Sequence, residues 1–160
     1  MTHRSDNAPE RPLRIAVFPG SFNPFTIGHK SIVERGLAIF DRIIIAIGCN
    51  VNKPIGEDVV ERVKEIEQQF RDNDAVSVRT YSGLTADFVK GTGSCAILRG
   101  VRNFTDFEYE RNLADVNKKL LGVETVFLTA LPEYAYVSSS VVRELKTFGH
   151  DTRSLLGNEE

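Results

Sequence analysis

The amino-acid sequence predicts an α/β fold, a single doubly wound, Rossmann-like domain built on a five-stranded parallel sheet. Two observations support this prediction. Five short apolar runs, rich in branched side chains, alternate along the chain with stretches of helical periodicity. Each run is continuously apolar, which is typical of strands covered on both faces by crossover helices. Ligands of such sheets bind at the carboxyl ends of the strands, so we expect the chemistry just after each run.

The predicted strands coincide with the apolar runs. No internal repeat and no low-complexity linker separates them, so one domain accounts for the whole series. The five strands are predicted at residues 13–18, 43–49, 75–80, 95–98 and 125–128.

The predicted helices lie between these strands. The clearest is 57–70, where the apolar residues share one stripe and charged residues cover the remaining faces. That stripe consists of Val59, Val60, Val63, Ile66 and Phe70. Segments 31–40, 106–121 and 141–148 show a similar period.

Composition excludes several classes of protein. Twenty Lys and Arg against 22 Asp and Glu leave a net charge of -2, which argues against a domain that coats nucleic acid. The longest apolar stretch, 43–47, is too short to span a bilayer. Residues 1–12 are polar and lack the apolar core of a signal peptide. We therefore expect a cytoplasmic protein with a disordered lead-in at 1–12 and the folded domain at 13–160.

The two cysteines, Cys49 and Cys95, are isolated and lie within apolar runs. We expect both to be buried thiols in a reducing compartment. No CxxC pattern is present and the three histidines are far apart in sequence, so we expect no metal site formed by the protein.

The segment that follows the first predicted strand has the features of a phosphate-binding loop. It reads PGSFNPFTIGH from Pro19 to His29 and leads into a helix. Gly20 and Gly28 permit close backbone approach, and a strand–loop–helix transition aims N–H groups and a helix dipole at one point. The loop is neither a GK(S/T) loop nor a GxGxxG fingerprint. We expect His29 to face an anion site from the first helical turn.

Two further clusters follow later strands. Arg99 and Arg102 flank Gly100 and Val101, and two guanidinium groups at this spacing can point at the same phosphate. The serine run 138–140 precedes the last helix and offers one N-cap together with further hydroxyls for phosphate oxygens.

Glu110 lies among the apolar residues of segment 106–121, which are Phe107, Leu113, Val116 and Leu120. We expect this stripe to face the core, where a carboxylate is costly unless it has a partner. Either an arginine neutralises Glu110 or the carboxylate binds hydroxyl or amino groups of a ligand.

Taken together, GSFNPFTIGH, RGVR, DFEYE and SSSVVRE resemble the bacterial phosphopantetheine adenylyltransferases in order and spacing, over residues 13–150. The resemblance implies a nucleotidylyltransferase domain that transfers the adenylyl group of ATP to 4′-phosphopantetheine. The products would be dephospho-coenzyme A and pyrophosphate, with Mg²⁺ carried mainly by the ATP phosphates. It also implies a homohexamer and inhibition by coenzyme A, with no nucleic-acid or membrane partner.

The resemblance also assigns roles to individual residues. The catalytic residues would be His29, Lys53 and Arg99. The acceptor-binding residues would be Ser21, Lys53, Thr85 and Arg99. The ATP-binding residues would be Ser21, Phe22, His29, Gly100, Val101, Arg102, Glu110, Tyr134, Ala135, Tyr136, Val137, Ser138, Ser139 and Ser140. An acceptor phosphate is already anionic, so direct in-line attack on the α-phosphorus needs no strong base and no covalent intermediate.

Three positions depart from the family pattern. Ser21 replaces the usual Thr, Asn23 replaces the usual Asp, and Gly83 stands where some members have Asp. An Asn at position 23 is often found in the nicotinate and nicotinamide mononucleotide adenylyltransferases. Those enzymes, however, usually have His where this chain has Thr26. A nucleotide-binding domain without turnover is the other alternative.

Overall fold

The computed structural model describes residues 10–158 and contains a five-stranded parallel sheet with the strand order β3-β2-β1-β4-β5. All four strand pairs are parallel, which confirms the predicted sheet. The strands are β1 (Ile15–Gly20), β2 (Arg42–Cys49), β3 (Val76–Ser82), β4 (Ala96–Val101) and β5 (Glu124–Thr129). Strand order reverses between β1 and β4, so the ligand crevice is expected at their carboxyl ends.

Four α-helices connect these strands, and a fifth follows β5. They are α1 (Ile27–Gly36), α2 (Glu57–Gln69), α3 (Thr85–Gly91), α4 (Phe104–Leu121) and α5 (Ser139–Thr147). Two short 3₁₀ turns, Pro132–Tyr134 and Arg153–Leu155, complete the described chain. The sequence pattern does not predict α3, because its seven residues are too few to display a helical period.

The core lies on both faces of the three central strands. Successive residues of a strand point to opposite faces, and here both sets are apolar. In β2, Ile43, Ile45 and Ile47 belong to the cluster on one face, while Ile44 and Ala46 belong to the cluster on the other. This two-sided burial explains why the strands read as continuous apolar runs.

The structure describes only residues 10–12 of the predicted lead-in, because residues 1–9 lie outside the described residues. Arg11 forms two hydrogen bonds with the carboxylate of Asp41, at 2.7 and 2.8 Å. The lead-in and the domain boundary stay predictions.

The prediction of two buried cysteines was wrong. Cys95 is exposed and Cys49 is only partly buried. Cys95 immediately precedes β4 and Cys49 is the last residue of β2. Each cysteine therefore lies at the end of a strand, outside the part of the sheet that the helices cover. Between residues 10 and 158, no group of three or more His, Cys, Asp or Glu is arranged to hold a metal ion. Over the same range, no helix combines the length and the apolar character that a membrane crossing requires.

The predicted orientation of α4 was also wrong. The residues expected to face the core are exposed, with 41% of Leu113, 51% of Val116 and 60% of Leu120 accessible, whereas only 7% of Glu110 is. Two faces of α4 have the same i, i+4, i+7, i+11 spacing, one beginning at Tyr109 and the other at Glu110. The second face, Glu110, Ala114, Asn117 and Leu121, is the more buried one. Phe107 retains an edge contact with Phe127, with ring centroids 5.5 Å apart.

Candidate active site at the carboxyl ends of β1 and β4

A cavity of about 280 Å³ lies at the point where strand order reverses. The loop after β1 forms one wall and the residues at the end of β4 form another. Gly100 permits the close approach of α1, because a Cβ at this position would lie 2.9 Å from Cγ1 of Ile32. The predicted site residues that line this cavity are Ser21, Phe22, His29, Arg99, Gly100, Arg102, Glu110, Tyr134, Val137, Ser138 and Ser139.

An aromatic cluster supports the loop that follows β1. The ring of Phe22 is buried and lies 5.1 Å from Phe18 and 5.3 Å from Phe25, between ring centroids. Gly20 is required beneath it, since a Cβ there would lie 2.9 Å from the tip of the Phe22 ring. Phe22 has a φ of 47°, in the left-handed region that few side-chain-bearing residues adopt. With its ring in the core, Phe22 can offer a ligand only its backbone.

His29 and Thr26 form a capping box at the start of α1. The Thr26 N–H donates to Nδ1 of His29 at 2.9 Å, and the His29 N–H donates to Oγ1 of Thr26 at 3.3 Å. An Nδ1 that accepts a hydrogen bond carries no proton, so neutral His29 has its proton on Nε2. The capping contact thus selects the tautomer and leaves Nε2–H as a donor.

The charge state of His29 follows from its surroundings. Burial, and to a smaller extent the positive charges of Arg99 and Arg102, lower the pKa of His29 to about 4. The imidazole is therefore neutral at physiological pH. It can donate a hydrogen bond to an anion without changing its own protonation state.

Arg99 and Glu110 form a bidentate ion pair in the cavity wall. Nε of Arg99 donates to Oε2 of Glu110 at 2.8 Å, and Nη2 donates to Oε1 at 2.5 Å. Nη1 of Arg99 also donates to the carbonyl oxygen of Pro19. Of the alternatives left open for Glu110, neutralisation by an arginine is the one observed. Three of the five N–H groups of the guanidinium are engaged, which leaves two for a ligand.

Arg102 lies at the exposed rim of the same cavity. Its Nε donates to Oδ2 of Asp106 at 3.0 Å, one helical turn later. The two side chains are 34% and 29% exposed, so the pair is partly screened and weak. A phosphate could therefore displace Asp106 from Arg102 at little energetic cost.

The three serines before and within α5 have different partners. Ser138 is the N-cap and accepts from the Val141 N–H at 3.2 Å, as expected for a serine at a helix start. The hydroxyl of Ser139 donates to the carbonyl oxygen of Pro24 at 2.8 Å. Ser140 is exposed and its hydroxyl accepts from Nη2 of Arg143 at 3.2 Å. Only Ser138 and Ser139 line the cavity.

A second cavity, of about 320 Å³, lies on the other side of the Arg99–Glu110 pair. Thr85 is in its wall, with its hydroxyl 2.8 Å from the hydroxyl of Tyr81. The two cavities share the residues Pro19, Gly20, Arg99 and Glu110. The rest of the second wall is largely apolar and includes Leu84, Leu113, Val116 and Leu120 together with Asn117.

Five predicted site residues line neither cavity. Lys53 is exposed on the loop between β2 and α2, and Tyr136 and Ser140 are exposed as well. Val101 is buried at the end of β4, and Ala135 is half-buried beside Tyr134. Their assigned contacts stay predictions.

Sequence reasoning missed two arginines that bind the loop after β1. Nη1 of Arg62 donates to the carbonyl oxygen of Ser21 at 3.0 Å, and Nη1 of Arg143 donates to that of Asn23 at 2.6 Å. Both lie on helices far from the loop in sequence, where an arginine is indistinguishable from an ordinary surface charge. No sequence signal could have identified them.

Comparison with known proteins identifies relatives over most of the chain. The cytidylyltransferase-like family matches residues 17–145. The phosphopantetheine adenylyltransferase of Porphyromonas gingivalis is 51% identical over 142 residues, which cover 89% of this chain and 93% of the relative. Those of Phocaeicola vulgatus and Flavobacterium johnsoniae are 46% and 45% identical, each over 90% of this chain and 95% of the relative.

A solved structure from Francisella tularensis has the same fold. It is a bifunctional NMN adenylyltransferase/ADP ribose pyrophosphatase in complex with AMP and a manganese ion. The TM-score is 0.66 at 16% identity, over 93% of this chain. This chain spans 46% of the length of that structure, and the likeness supports the fold alone.

Proposed function

The chain belongs to the phosphopantetheine adenylyltransferases, and from this membership we propose how its site performs the reaction. The enzyme transfers the adenylyl group of ATP to 4′-phosphopantetheine and releases pyrophosphate in the biosynthesis of coenzyme A. One observation carries the proposal for the site: two cavities meet at the Arg99–Glu110 pair. Two substrates placed in these cavities would bring their phosphates together at that pair.

The first cavity is the ATP site in this proposal. Its walls offer the Nε2–H of neutral His29, the backbone of Phe22 and the guanidinium of Arg102, all of which suit phosphate oxygens. The start of α5 contributes the hydroxyl proton of Ser138, whereas that of Ser139 is donated to the Pro24 carbonyl oxygen. Tyr134 and Val137 supply the less polar surface for the adenosine.

The second cavity is the acceptor site. Its apolar wall, with Thr85 and Asn117 as polar members, suits a pantetheine chain, which is flexible and carries two amides. The two N–H groups of Arg99 that remain would hold the acceptor phosphate at the junction. Lys53 stands on the loop after β2, which neighbours β1 in the sheet, and would add a second positive charge.

The reaction itself is a direct displacement. A lone pair on an oxygen of the acceptor phosphate forms a bond to the α-phosphorus of ATP. The bond from that phosphorus to the bridging oxygen of the β-phosphate breaks, and pyrophosphate leaves with the electron pair. Arg99 and Lys53 reduce the repulsion between the two anions, and the Nε2–H of His29 stabilises charge on the α-phosphate oxygens.

The residues present fit a magnesium ion that ATP carries. Mg²⁺ retains several waters and binds one or two carboxylates together with substrate phosphates. The carboxylates that line the first cavity, Glu110 and Asp106, are paired with Arg99 and Arg102 respectively. Residues 10–158 contain no group of three or more His, Cys, Asp or Glu that could hold a metal ion. The ion, when bound, would neutralise part of the triphosphate charge.

Self-association and inhibition by coenzyme A are parts of the same proposal. Helix α4 also exposes 79% of Phe104 and 64% of Tyr109, which line neither cavity, and exposed apolar surface of this kind favours contact with another copy. A homohexamer has a mass six times the 17.9 kDa of one chain. Coenzyme A contains both the adenosine and the pantetheine portions, so it would compete for both cavities. A cytoplasmic location stays a prediction.

Pyrophosphate release from ATP tests the choice of acceptor. We expect release with 4′-phosphopantetheine and none above background with nicotinate or nicotinamide mononucleotide. Asn23, which suggested the mononucleotide acceptors, lines neither cavity. Faster release with a mononucleotide than with phosphopantetheine would contradict the assignment.

A further inference from the structure

Side-chain donors bind four carbonyl oxygens of the loop 19–24. The donors come from two helices, α2 and α5, and from β4. The pairs are Arg99 with Pro19, Arg62 with Ser21, Arg143 with Asn23, and Ser139 with Pro24. Each held carbonyl fixes the direction of the N–H of the following residue, except at Asn23, because the next residue, Pro24, has no N–H.

The peptide between Ser21 and Phe22 shows this most directly. In a planar trans peptide the C=O and N–H groups point in opposite directions. Nη1 of Arg62 holds the carbonyl of Ser21 at 3.0 Å, so the N–H of Phe22 points away from α2. Among the residues that the structure describes, this N–H has no hydrogen-bond acceptor. Because Phe22 lines the first cavity while its ring packs in the core, its backbone is the part that can offer this donor to a phosphate oxygen.

The conformation of Phe22 needs support from its surroundings. A φ of 47° is unfavourable for a residue with a Cβ, and such residues persist where the surrounding contacts define them fully. The ring of Phe22 packs in the core. Arg62 binds the carbonyl oxygen of the preceding residue, Ser21, and Arg143 binds that of the following residue, Asn23. Without Arg62, the preceding peptide could rotate.

Arg62 itself is not an ordinary surface arginine. Its side chain is 13% exposed, whereas Asp58, its ion-pair partner at 3.6 Å, is 74% exposed. A nearly buried guanidinium that donates to a neutral carbonyl is costly to desolvate, which argues for a specific role. Arg62 also belongs to α2, and the loop that contains Lys53 leads directly into this helix. Arg62 therefore connects the loop after β2 with the loop after β1.

We propose that Arg62 is a positioning residue for adenylyl transfer, which orients the Ser21–Phe22 peptide so that the Phe22 N–H donates to the phosphate undergoing transfer. This inference rests on the function proposed above. Arg62 acts through the loop and does not touch either substrate. Arg143 holds the loop in a similar way, but it lies on α5 beside the serines of the ATP site, so its substitution would mix direct and indirect effects.

The test compares the steady-state kinetics of Arg62→Met and Arg62→Ala with those of Lys64→Met. Lys64 is an exposed cation on the same helix and serves as the matched control. We expect kcat to fall about tenfold in both Arg62 variants, less than the roughly 10²–10³-fold loss for an absent transition-state donor, because the N–H remains but is poorly oriented. Both KM values should stay within about threefold of wild type, since the cavities keep their lining.

Chemical rescue separates orientation from general destabilisation. Guanidinium ion added at low millimolar concentration should partly restore kcat of Arg62→Ala, because it can occupy the space left by the side chain and donate to the Ser21 carbonyl. It should not raise kcat of Arg62→Met, in which the longer side chain fills that space. Thermal unfolding of each variant confirms that the assayed protein is folded at the assay temperature.

Several outcomes would overturn the inference. One is a kcat within twofold of that of Lys64→Met, and another is a change confined to KM. A loss of activity that guanidinium restores equally in both Arg62 variants, or in neither, also counts against it. A wild-type enzyme that releases no pyrophosphate with phosphopantetheine would instead overturn the proposed function, and the inference with it.

Discussion

The carboxylate of Glu110 binds the guanidinium of Arg99 through both oxygens, at 2.8 and 2.5 Å, in the wall that the two cavities share. The carboxylate is nearly buried and the arginine partly so, with side chains 10% and 28% exposed. Each group therefore depends on the other for neutralisation. The pair also fixes the plane of the guanidinium, because two parallel hydrogen bonds permit one orientation.

Substitution Glu110→Gln should destabilise the protein and weaken acceptor binding together. It leaves Arg99 without its charge partner, and we expect a loss of about 2–3 kcal/mol in the free energy of unfolding. The KM for phosphopantetheine should rise more than the KM for ATP, since the freed guanidinium loses its orientation. Urea unfolding and initial rates measure the two effects. Glu108→Gln, at an exposed neighbouring position, is the control, and equal behaviour of the two variants would contradict the role of the pair.

Stability should depend on pH through His29. Its pKa is lowered from 6.5 to about 4 on folding, so between these pH values the unfolded chain binds a proton that the folded protein does not. The contribution of His29 is therefore present above pH 6.5 and is lost as the pH falls toward 4. The full loss is on the order of 3 kcal/mol. Urea midpoints measured from pH 7 to pH 4 should fall less steeply for His29→Gln, and parallel curves would show that His29 contributes nothing.

Turnover should depend strongly on His29 as a neutral donor. We expect His29→Ala to lower kcat roughly 10²–10³-fold, the loss that accompanies removal of one transition-state donor, with little change in the acceptor KM. His29→Asn retains an N–H donor and should lose less. Single-turnover kinetics measure the chemical step. Near-normal turnover in the alanine variant would remove His29 from the mechanism.

Substitution of Lys53 tests its electrostatic attraction for the acceptor phosphate without disturbing the fold. Its side chain is exposed and lines neither cavity, so Lys53→Met should leave the thermal midpoint unchanged. The KM for phosphopantetheine should rise about tenfold, and less so at high salt, because screening already weakens the attraction in wild type. Calorimetric titration with phosphopantetheine measures the binding directly. An unchanged affinity at low salt would exclude Lys53 from the acceptor site.

The exposed face of α4 should mediate self-association. Tyr109 is 64% exposed and lines neither cavity, so Tyr109→Lys should have little effect on the fold of one chain. A charge in an apolar contact should nevertheless reduce the assembly to smaller species. Light scattering coupled to gel filtration gives the mass, with Glu108→Lys as the control. Wild type with the mass of one chain, or a variant with unchanged mass, would contradict this role.

Much of the fold and part of the site could be predicted from short stretches of sequence. The apolar runs indicated all five strands, because strands covered on both faces leave a continuous signal in a few consecutive residues. The loop Gly20–His29 was recognisable for a similar reason, since its glycines, prolines and terminal His are all local. Helix α3 was not predictable, because two helical turns are too short to show a period.

The sequence by itself determined the sheet, the position of the loop after β1 and the family, because each depends on residue order over short distances. Only the tertiary structure decided which face of α4 is buried, since the faces that begin at Tyr109 and Glu110 have identical spacing and differ in what the sheet covers. It also decided that Arg99 neutralises Glu110 and that Arg62 binds the carbonyl of Ser21, 41 positions away. Such contacts depend on strand order and helix packing, and no local pattern of side chains encodes them.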